Sequence, residues 1–555
     1  MHLSQTQVKI RCSLLALIFV LAAACNFSLP VSTAAQSPAA PTLLASPLVK
    51  SSETAAPLPT ERLATAVPAS VPTQPPSLTP QAAWEWRHSS PEEQGLSSTV
   101  LADMLEAIAR EKQNIHSVVV IRHGVVVLEA YRHPFNGETR HELYSVSKSV
   151  TSALVGIANG QGLLKGVEQP VSSYFPGLEL DDPNKGTIRV EHLLSMTSGI
   201  EWAEPLYSGL NDHWGILEAD DPARYFFSPA LVETPGKVFN YNSGGSHMLS
   251  LLVQQAVGRP AAQYAAEKLF APLQIEDYSW ESDFTGHTKG GAGLALKSLD
   301  AAKIGQLYLQ GGQWLGQSIV PDAWVKQSSA IHSTPSEGMG YGYQWWVRPA
   351  GDYYALGWGG QQIRVFPKQD MVVVFTAGMS GAGILHADLV DKYLLPAVKS
   401  ETPLAADPQA GDRLEQALQT LSDPQIWPSK PLAPLASMIS GKQWLVTGQG
   451  NWSMFTLRFS GLKEAELELT LKNDPMPLRV GLDGRYRVVD TVELGPVALV
   501  GYWDTPDTFV LIQQNLREAD RRTTRLQFLG KQVKLKSEWI VEPHQEESEA
   551  ELFGQ

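Results

Sequence analysis

Residues 143–157 read Leu143-Tyr144-Ser145-Val146-Ser147-Lys148-Ser149-Val150-Thr151-Ser152-Ala153-Leu154-Val155-Gly156-Ile157. Val146, Val150, Ala153, Leu154 and Ile157 recur at helical spacing, which predicts a helix with an apolar stripe that starts at Ser145. Ser145 and Lys148 are three apart, so they share one face of that helix. A serine hydroxyl is a weak nucleophile and needs a nearby base. Desolvation, or a second positive group, lowers a lysine enough for it to accept a proton. The helix start adds N–H groups that stabilise developing negative charge. Alone, Ser-x-x-Lys is a weak signal. It recurs at Ser460–Lys463, at a strand end with no partners after it, and that copy is read as chance.

Outward from this helix the chain reads as an α+β domain over residues 84–400. Ser97 is placed as the N-cap of a helix carrying Leu101, Met104, Leu105 and Ile108. Ser117–Arg122 and Val125–Arg132 form a hairpin turning at His123-Gly124. A second strand pair, Tyr353–Phe366 and Met371–Thr376, surrounds Pro367–Asp370. Strands at both ends with helices between predict an antiparallel sheet closed by segments far apart in sequence.

Two further blocks follow the Ser-x-x-Lys pattern. Pro235-Gly236-Lys237-Val238-Phe239-Asn240-Tyr241-Asn242-Ser243-Gly244 comes roughly a hundred residues on, and Ala355-Leu356-Gly357-Trp358-Gly359-Gly360-Gln361 after a similar interval, early in a strand. With Leu193–Gly199, Gly291–Leu294 and Tyr341–Trp346, these ordered blocks resemble the serine β-lactamase family in the broad sense, which includes class C β-lactamases, D-Ala-D-Ala carboxypeptidases and related esterases. The resemblance covers about residues 95–395. It implies a β-lactamase/transpeptidase-like fold, Ser145 as nucleophile and Lys148 as its base. Tyr241 would shuttle protons to the leaving group, as phenolate or by sharing a proton with Lys148. The backbone N–H groups of Ser145 and Gln361 would form the oxyanion hole. Gly359 and Gly360 would let the strand approach substrate closely.

Two positions depart from the family pattern. Ser243 stands where the family has Asn, and Asn242, one position early, would face the other way on a strand. Trp358 replaces a Lys or His that commonly meets a substrate carboxylate. Some carboxylesterases of the family resemble this sequence in having Trp-Gly-Gly there. The expected activity is therefore hydrolysis of a carboxylic ester or amide through an acyl-enzyme, esterase-like, on uncharged acyl groups. Arg364 is read as a surface residue of its strand rather than a replacement cation. The alternatives are a D-Ala-D-Ala carboxypeptidase, peptidoglycan-directed or β-lactamase activity, and a catalytically weak surface binding or sensor protein. Gly378-Met379-Ser380-Gly381-Ala382 is a rival nucleophile turn, served only by Asp388 and His544. The 13 histidines are scattered without an H-E-x-x-H pattern, so His192, His213 and His247 are read as structural or exposed, and neither metal nor cofactor is expected.

The termini and composition set the context. Lys9 and Arg11 precede a short apolar run, Leu14 to Ala24, and then Leu21-Ala22-Ala23-Ala24-Cys25. This reads as a signal segment, residues 1–25, of the bacterial lipoprotein type, with Cys25 lipidated. Residues 26–83, rich in Pro, Ala, Ser and Thr, read as an extended tether. The expectation is an exported, outward-facing lipoprotein held to the cell membrane by its lipid. Cys12 and Cys25 are the only cysteines, so the folded body has no thiol for a disulfide, a nucleophile or a metal. A net charge of −14 argues against nucleic acid, whose phosphates need a basic surface. The partners expected are a small ester, amide or cell-wall peptide and the membrane. Residues 401–435 read as a linker with one helix at Asp412–Leu421. Residues 436–543 show short alternating runs, from Phe455–Phe459 to Val533–Trp539, that predict a small all-β accessory sandwich or barrel. An acidic, solvated tail, 544–555, ends the chain.

Overall fold

The computed structural model describes residues 84–553 except 112, 205–211, 380–381, 449–452, 472–473, 493 and 542–544. The signal segment, Cys25, the tether, Ser380 and His544 lie outside the described residues.

The domain begins with α1 (Ser98–Arg110), β1 (Ile115–Arg122) and β2 (Val125–Tyr131). The hairpin turns where predicted. His123 and Gly124 take φ of 49° and 71°, the positive pair that suits a two-residue turn between twisted strands. Next come α2 (Val146–Gly160), α3 (Ser243–Val257) and α4 (Ser298–Leu309), followed by β3 (Ser333–Ser336), β4 (Met339–Tyr341), β5 (Trp346–Val347), β6 (Tyr353–Gly357), β7 (Gln361–Phe366) and β8 (Met371–Ala377). The sheet order is β2-β1-β8-β7-β6-β5-β4-β3, so the first and last strands of the domain pair inside the sheet, one strand in from its β2 edge. Side chains alternate across it. Val118, Val120, Val373 and Phe375 join the core with Leu101 and Leu105 of α1, while Ile363 and Val372 lie against Gly305 of α4.

Two boundaries differ from the sequence reading. Tyr353–Phe366 is not one strand, because Trp358–Gly360 folds it back into the β6–β7 hairpin, with φ of 71° at Gly359 and 97° at Gly360. The helix expected within residues 401–435 is present but starts earlier than read, as α5 (Pro408–Ser422), because Asp407 caps it, its carboxylate accepting from Ala410 N at 3.0 Å. Leu414, Ala417 and Leu421 bury in the same core as α1, and Arg413 reaches Asp103 and Glu106 at 2.7 Å.

The C-terminal strands are β9 (Gln443–Gly448), β10 (Met454–Phe459), β11 (Glu464–Leu471), β12 (Asp474–Gly481), β13 (Arg487–Thr491), β14 (Gly495–Thr505), β15 (Thr508–Asn515), β16 (Arg521–Leu529), β17 (Gln532–Trp539) and β18 (Gln545–Leu552). They form one sheet, β12-β11-β10-β9-β18-β17-β16-β15-β14-β13, closed on itself where Gly481 of β12 pairs with Val500 of β14. Closure removes the free edges of an open sheet. The acidic tail corrects the sequence reading. It is β18, inserted between β9 and β17, with Ala550 buried against the barrel core and Glu549 and Glu551 exposed on the other face. Glu549 and Glu551 flank buried Ala550 in the alternation of the pleat, so a strand satisfies them as well as a solvated tail would.

Candidate active site

Ser145 sits at the N-cap of α2, next to Tyr144, whose φ is 48°. A non-glycine residue in this region is strained and needs its surroundings to hold it. Here Ser147 Oγ donates to Tyr144 O at 2.6 Å, and the Tyr144 ring packs edge-on to Trp358, centroids 5.2 Å apart. The first turn of α2 points Lys148 back at Ser145, as i to i+3 spacing requires. Lys148 Nζ donates to Ser145 Oγ at 2.8 Å and to Gly291 O at 2.9 Å. The whole lysine is buried. Burial pulls its amine down to about 7, and the Glu204 carboxylate opposes that shift.

Tyr241 precedes α3, and its ring lies 5.0 Å from Lys148 Nζ. The phenol is hydrogen-bonded to the Ser145 side chain. Burial, with the Glu204 charge, raises its titration far above the usual phenol, so it holds its proton and the phenolate form is disfavoured. Asn242 is not on a strand. It is the N-cap of α3, with Oδ1 accepting from Gly245 N at 2.7 Å, and this cap starts the helix at Ser243. Ser243 N–H and Oγ both donate to Glu204, at 2.5 and 2.9 Å. Trp202 Nε1 donates to the same carboxylate at 2.6 Å. Glu204 is thus a carboxyl neighbour of the site that the sequence reading missed, because no spacing rule links it to Ser243, 39 residues on; burial raises its titration, and Lys148 and the bonds from Ser243 and Trp202 oppose that rise.

Across the site runs the β6–β7 turn. Gly357 lies so close to the chain before Ser145 that a Cβ there would stand 2.2 Å from Leu143 O. Trp358 is buried beside Tyr144. The Gln361 side chain is pinned by Nε2 to Trp358 O at 2.8 Å and to Ala377 O at 2.7 Å, and it accepts from Ala377 N at 3.0 Å. These bonds fix the turn that carries Gly359, Gly360 and the Gln361 backbone. Arg364 is not at the surface. It is buried and donates to Asp352 at 2.6 and 3.0 Å, with Tyr354 and Phe366 under its guanidinium. Its charge is therefore committed inside the sheet.

The remaining blocks converge on a second missed residue, Gln344, which is buried with φ of 67°. Its Nε2 donates to Leu193 O and Leu194 O, its Oε1 accepts from Ser246 Oγ, and its carbonyl accepts from Ser149 Oγ, at 2.6–3.0 Å. One glutamine, through its side chain and its backbone carbonyl, thus ties α2, α3 and the Leu193–Gly199 segment together. Its one visible signal was a lone polar side chain in an aromatic run. Of the histidines, His247 pairs with Asp283 at 3.0 Å, and burial holds His213 well below its ordinary range. Asp388, an acid considered for the rival turn, pairs with Lys392 at 2.8 Å.

The barrel also reaches the site. The β15–β16 hairpin tip lays Arg517 O on Glu142 N at 2.7 Å and donates Ala519 N–H to Tyr144 Oη at 3.2 Å. Ala519 and Val541 pack with Tyr144 and Trp358 in one cluster. A Cβ at Gly359 would meet Ala519 Cβ at 2.5 Å. The glycine at this turn therefore admits the barrel. This hairpin makes the C-terminal domain a wall of the site, which strand patterning alone does not reveal.

Known proteins resemble this chain over part of its length. The family model described as Beta-lactamase matches residues 105–383, half of the chain. A 6-aminohexanoate-dimer hydrolase of Paenarthrobacter ureafaciens is 28% identical over 303 residues, which is 50% of this chain and 75% of that protein. A D-aminopeptidase of Brucella ovis is 28% identical over 171 residues, covering 29% of this chain and 32% of its own. Among solved structures, a penicillin binding protein from Bacillus halodurans superposes with a TM-score of 0.43 at 16% identity, covering 52% of this chain and 99% of its own. A family VIII carboxylesterase gives 0.43 at 17% identity, covering 60% and 98%. The chain belongs to the serine β-lactamase and penicillin-binding-protein family of hydrolases.

Proposed function

We propose that this protein hydrolyses a carboxylic ester or amide through a Ser145 acyl-enzyme, without requiring a carboxylate on its substrate. The observation that carries the proposal is the buried Lys148–Ser145 contact of 2.8 Å, with an amine that titrates near neutrality. Neutral Lys148 takes the Ser145 proton as Oγ attacks the carbonyl carbon. The backbone N–H groups of Ser145 and Gln361 receive the oxyanion. Tyr241, a protonated phenol, gives its proton to the leaving oxygen or nitrogen and is refilled from the Lys148 ammonium. Water then attacks the acyl carbon, the carboxylic acid leaves, and Ser145 regains a proton.

The lack of a carboxylate requirement rests on Trp358 and Arg364. The first offers no cation, and the second is bound to Asp352. The placement of the enzyme, as an outward-facing lipoprotein tethered through Cys25 and residues 26–83, belongs to the same proposal and rests on the sequence of the N-terminus.

The test compares p-nitrophenyl butyrate, a chromogenic cephalosporin and a D-Ala-D-Ala peptide as substrates for the full chain and for Ser145→Ala. Ester turnover by the parent and none by the folded variant is the expected result. Preferential cleavage of the cephalosporin or the peptide would refute the substrate reading. Stable acylation without turnover would make the protein a surface binder. Equal turnover by both forms would refute Ser145 as nucleophile.

A further inference from the structure

Glu204 is a buried-side carboxylate that the mechanism above does not use. It accepts three hydrogen bonds, from Ser243 N, Ser243 Oγ and Trp202 Nε1, at 2.5, 2.9 and 2.6 Å. Two of them grip the first residue of α3, immediately after the Tyr241-Asn242 turn. Carboxylates are favoured at a helix start, where N–H groups are unpaired. The grip matters because of what lies on the other side of Ser243. A Cβ built on Gly291 would stand 3.4 Å from Lys148 Nζ and 3.4 Å from Ser243 Cβ, so the amine and the serine flank the same glycine. Glu204 is therefore separated from the Lys148 amine by a single side chain.

We propose that Glu204 is a positioning residue. Through Ser243 it fixes the Tyr241 turn against Lys148, and its charge sets the pH at which Lys148 can activate Ser145. The proposal rests on the hydrolase reading of the Ser145 site and deepens it. In this chain the Ser243 hydroxyl is shorter than the amide the family pattern expects, so it needs a second group to hold it, and Glu204 supplies that group.

The groups facing the Lys148 amine can be named from each element. α2 supplies the Ser145 hydroxyl, the segment before Leu294 supplies Gly291 O, and the turn before α3 supplies the Tyr241 ring. The segment 212–218 supplies His213, which burial and the Lys148 charge hold well below its ordinary range, so it is neutral in the working range. Lys289 and His247 act on His213 from further off. Tyr241 is also neutral there. Among these described groups, Glu204 is the one that brings a negative charge to Lys148. A negative neighbour keeps the lysine protonated to higher pH, so it moves the acid limb of the rate profile upward. Because the two groups exchange charge with one another, that limb belongs to the pair.

The experiment is the pH dependence of kcat/KM for p-nitrophenyl butyrate, measured on the full chain as parent, Glu204→Gln and Glu204→Asp. Removing the charge moves the acid limb of Glu204→Gln to lower pH by about one pH unit. Glu204→Asp keeps the charge and restores the limb toward the parent's position. A purely structural residue would lower the rate at every pH and leave the limb where it was. A folded Glu204→Gln protein with the parent's acid limb overturns the proposal. If the Gln form does not fold, Glu204→Ala removes the same charge while leaving room for water and is read in the same way. If the parent does not hydrolyse the ester, the hydrolase reading fails on its own. The Lys148 titration is then followed directly by side-chain NMR of the labelled lysine in parent and Glu204→Gln, and an unchanged midpoint overturns the role of Glu204.

Discussion

Lys148→Met keeps the unbranched shape of the side chain, one heavy atom shorter, and removes its charge, and its effects on activity and stability are expected to have opposite signs. The folded protein holds the amine at about 7 against an ordinary 10.5. At about 1.4 kcal/mol per unit, the fold disfavours the protonated lysine by about 5 kcal/mol. Between these two values the unfolded chain binds the extra proton, so the stability of the parent rises with pH from about 7 to about 10.5. Below 7 both states are protonated and the full penalty applies. Methionine removes it, but strands Gly291 O, which accepts from Nζ at 2.9 Å. An orphaned buried carbonyl costs about 1–3 kcal/mol. Near pH 6 the variant should therefore be more stable than the parent by about 2–4 kcal/mol, while hydrolysing nothing. That margin should fall by about 1.4 kcal/mol per pH unit above 7 and vanish between about pH 8.5 and about pH 10. Denaturant unfolding of the full chain at several pH values, beside ester turnover, reads both quantities. A difference between variant and parent that does not change from about pH 6 to about pH 9.5 would refute the depressed lysine, and with it the base assigned to Ser145.

Tyr144→Phe removes the acceptor of the Ala519 N–H and leaves that buried donor unpaired, a loss of about 1–3 kcal/mol. Because Tyr144 precedes Ser145, the nucleophile proposed above, kcat should fall with the thermal midpoint, whereas full activity in a normally stable variant would show that the barrel contact is incidental. Asp352→Ala strands Arg364 in the sheet and should cost about 3–5 kcal/mol by thermal or denaturant unfolding. The same variant should not change the preference between neutral and carboxylate-bearing esters, and a change would mean that Arg364 serves the substrate after all.

The barrel gives the family domain a wall that the matched segment, 105–383, does not contain. Arg517 O and Ala519 N bond to Glu142 and Tyr144, on the chain leading into Ser145, so displacement of the hairpin would disturb Ser145 directly. The strained φ of 48° at Tyr144 is held from both sides, by Ser147 within α2 and by Ala519 from the barrel.

Much of this molecule was legible in one dimension because its signals are local. The helical stripe from Val146 to Ile157 and the i to i+3 spacing of Ser145 and Lys148 depend only on helix geometry, and His123-Gly124 only on turn geometry. The order of the motif blocks was enough for the family. What escaped was whatever depends on which distant segments meet. Glu204 finds Ser243 across 39 residues, Gln344 finds Leu193 across 151, and Ala519 finds Tyr144 across 375. Arg364 looks like any strand arginine until Asp352 is folded against it, and β18 looks like a solvated tail until β9 and β17 flank it. The sequence by itself determined the family, the shared helix face of Ser145 and Lys148, and the type of most elements. Only the tertiary structure decided the charge around that base and the wall around the site, because hydrogen bonds and fields act over a few ångströms of space, whatever the distance along the chain.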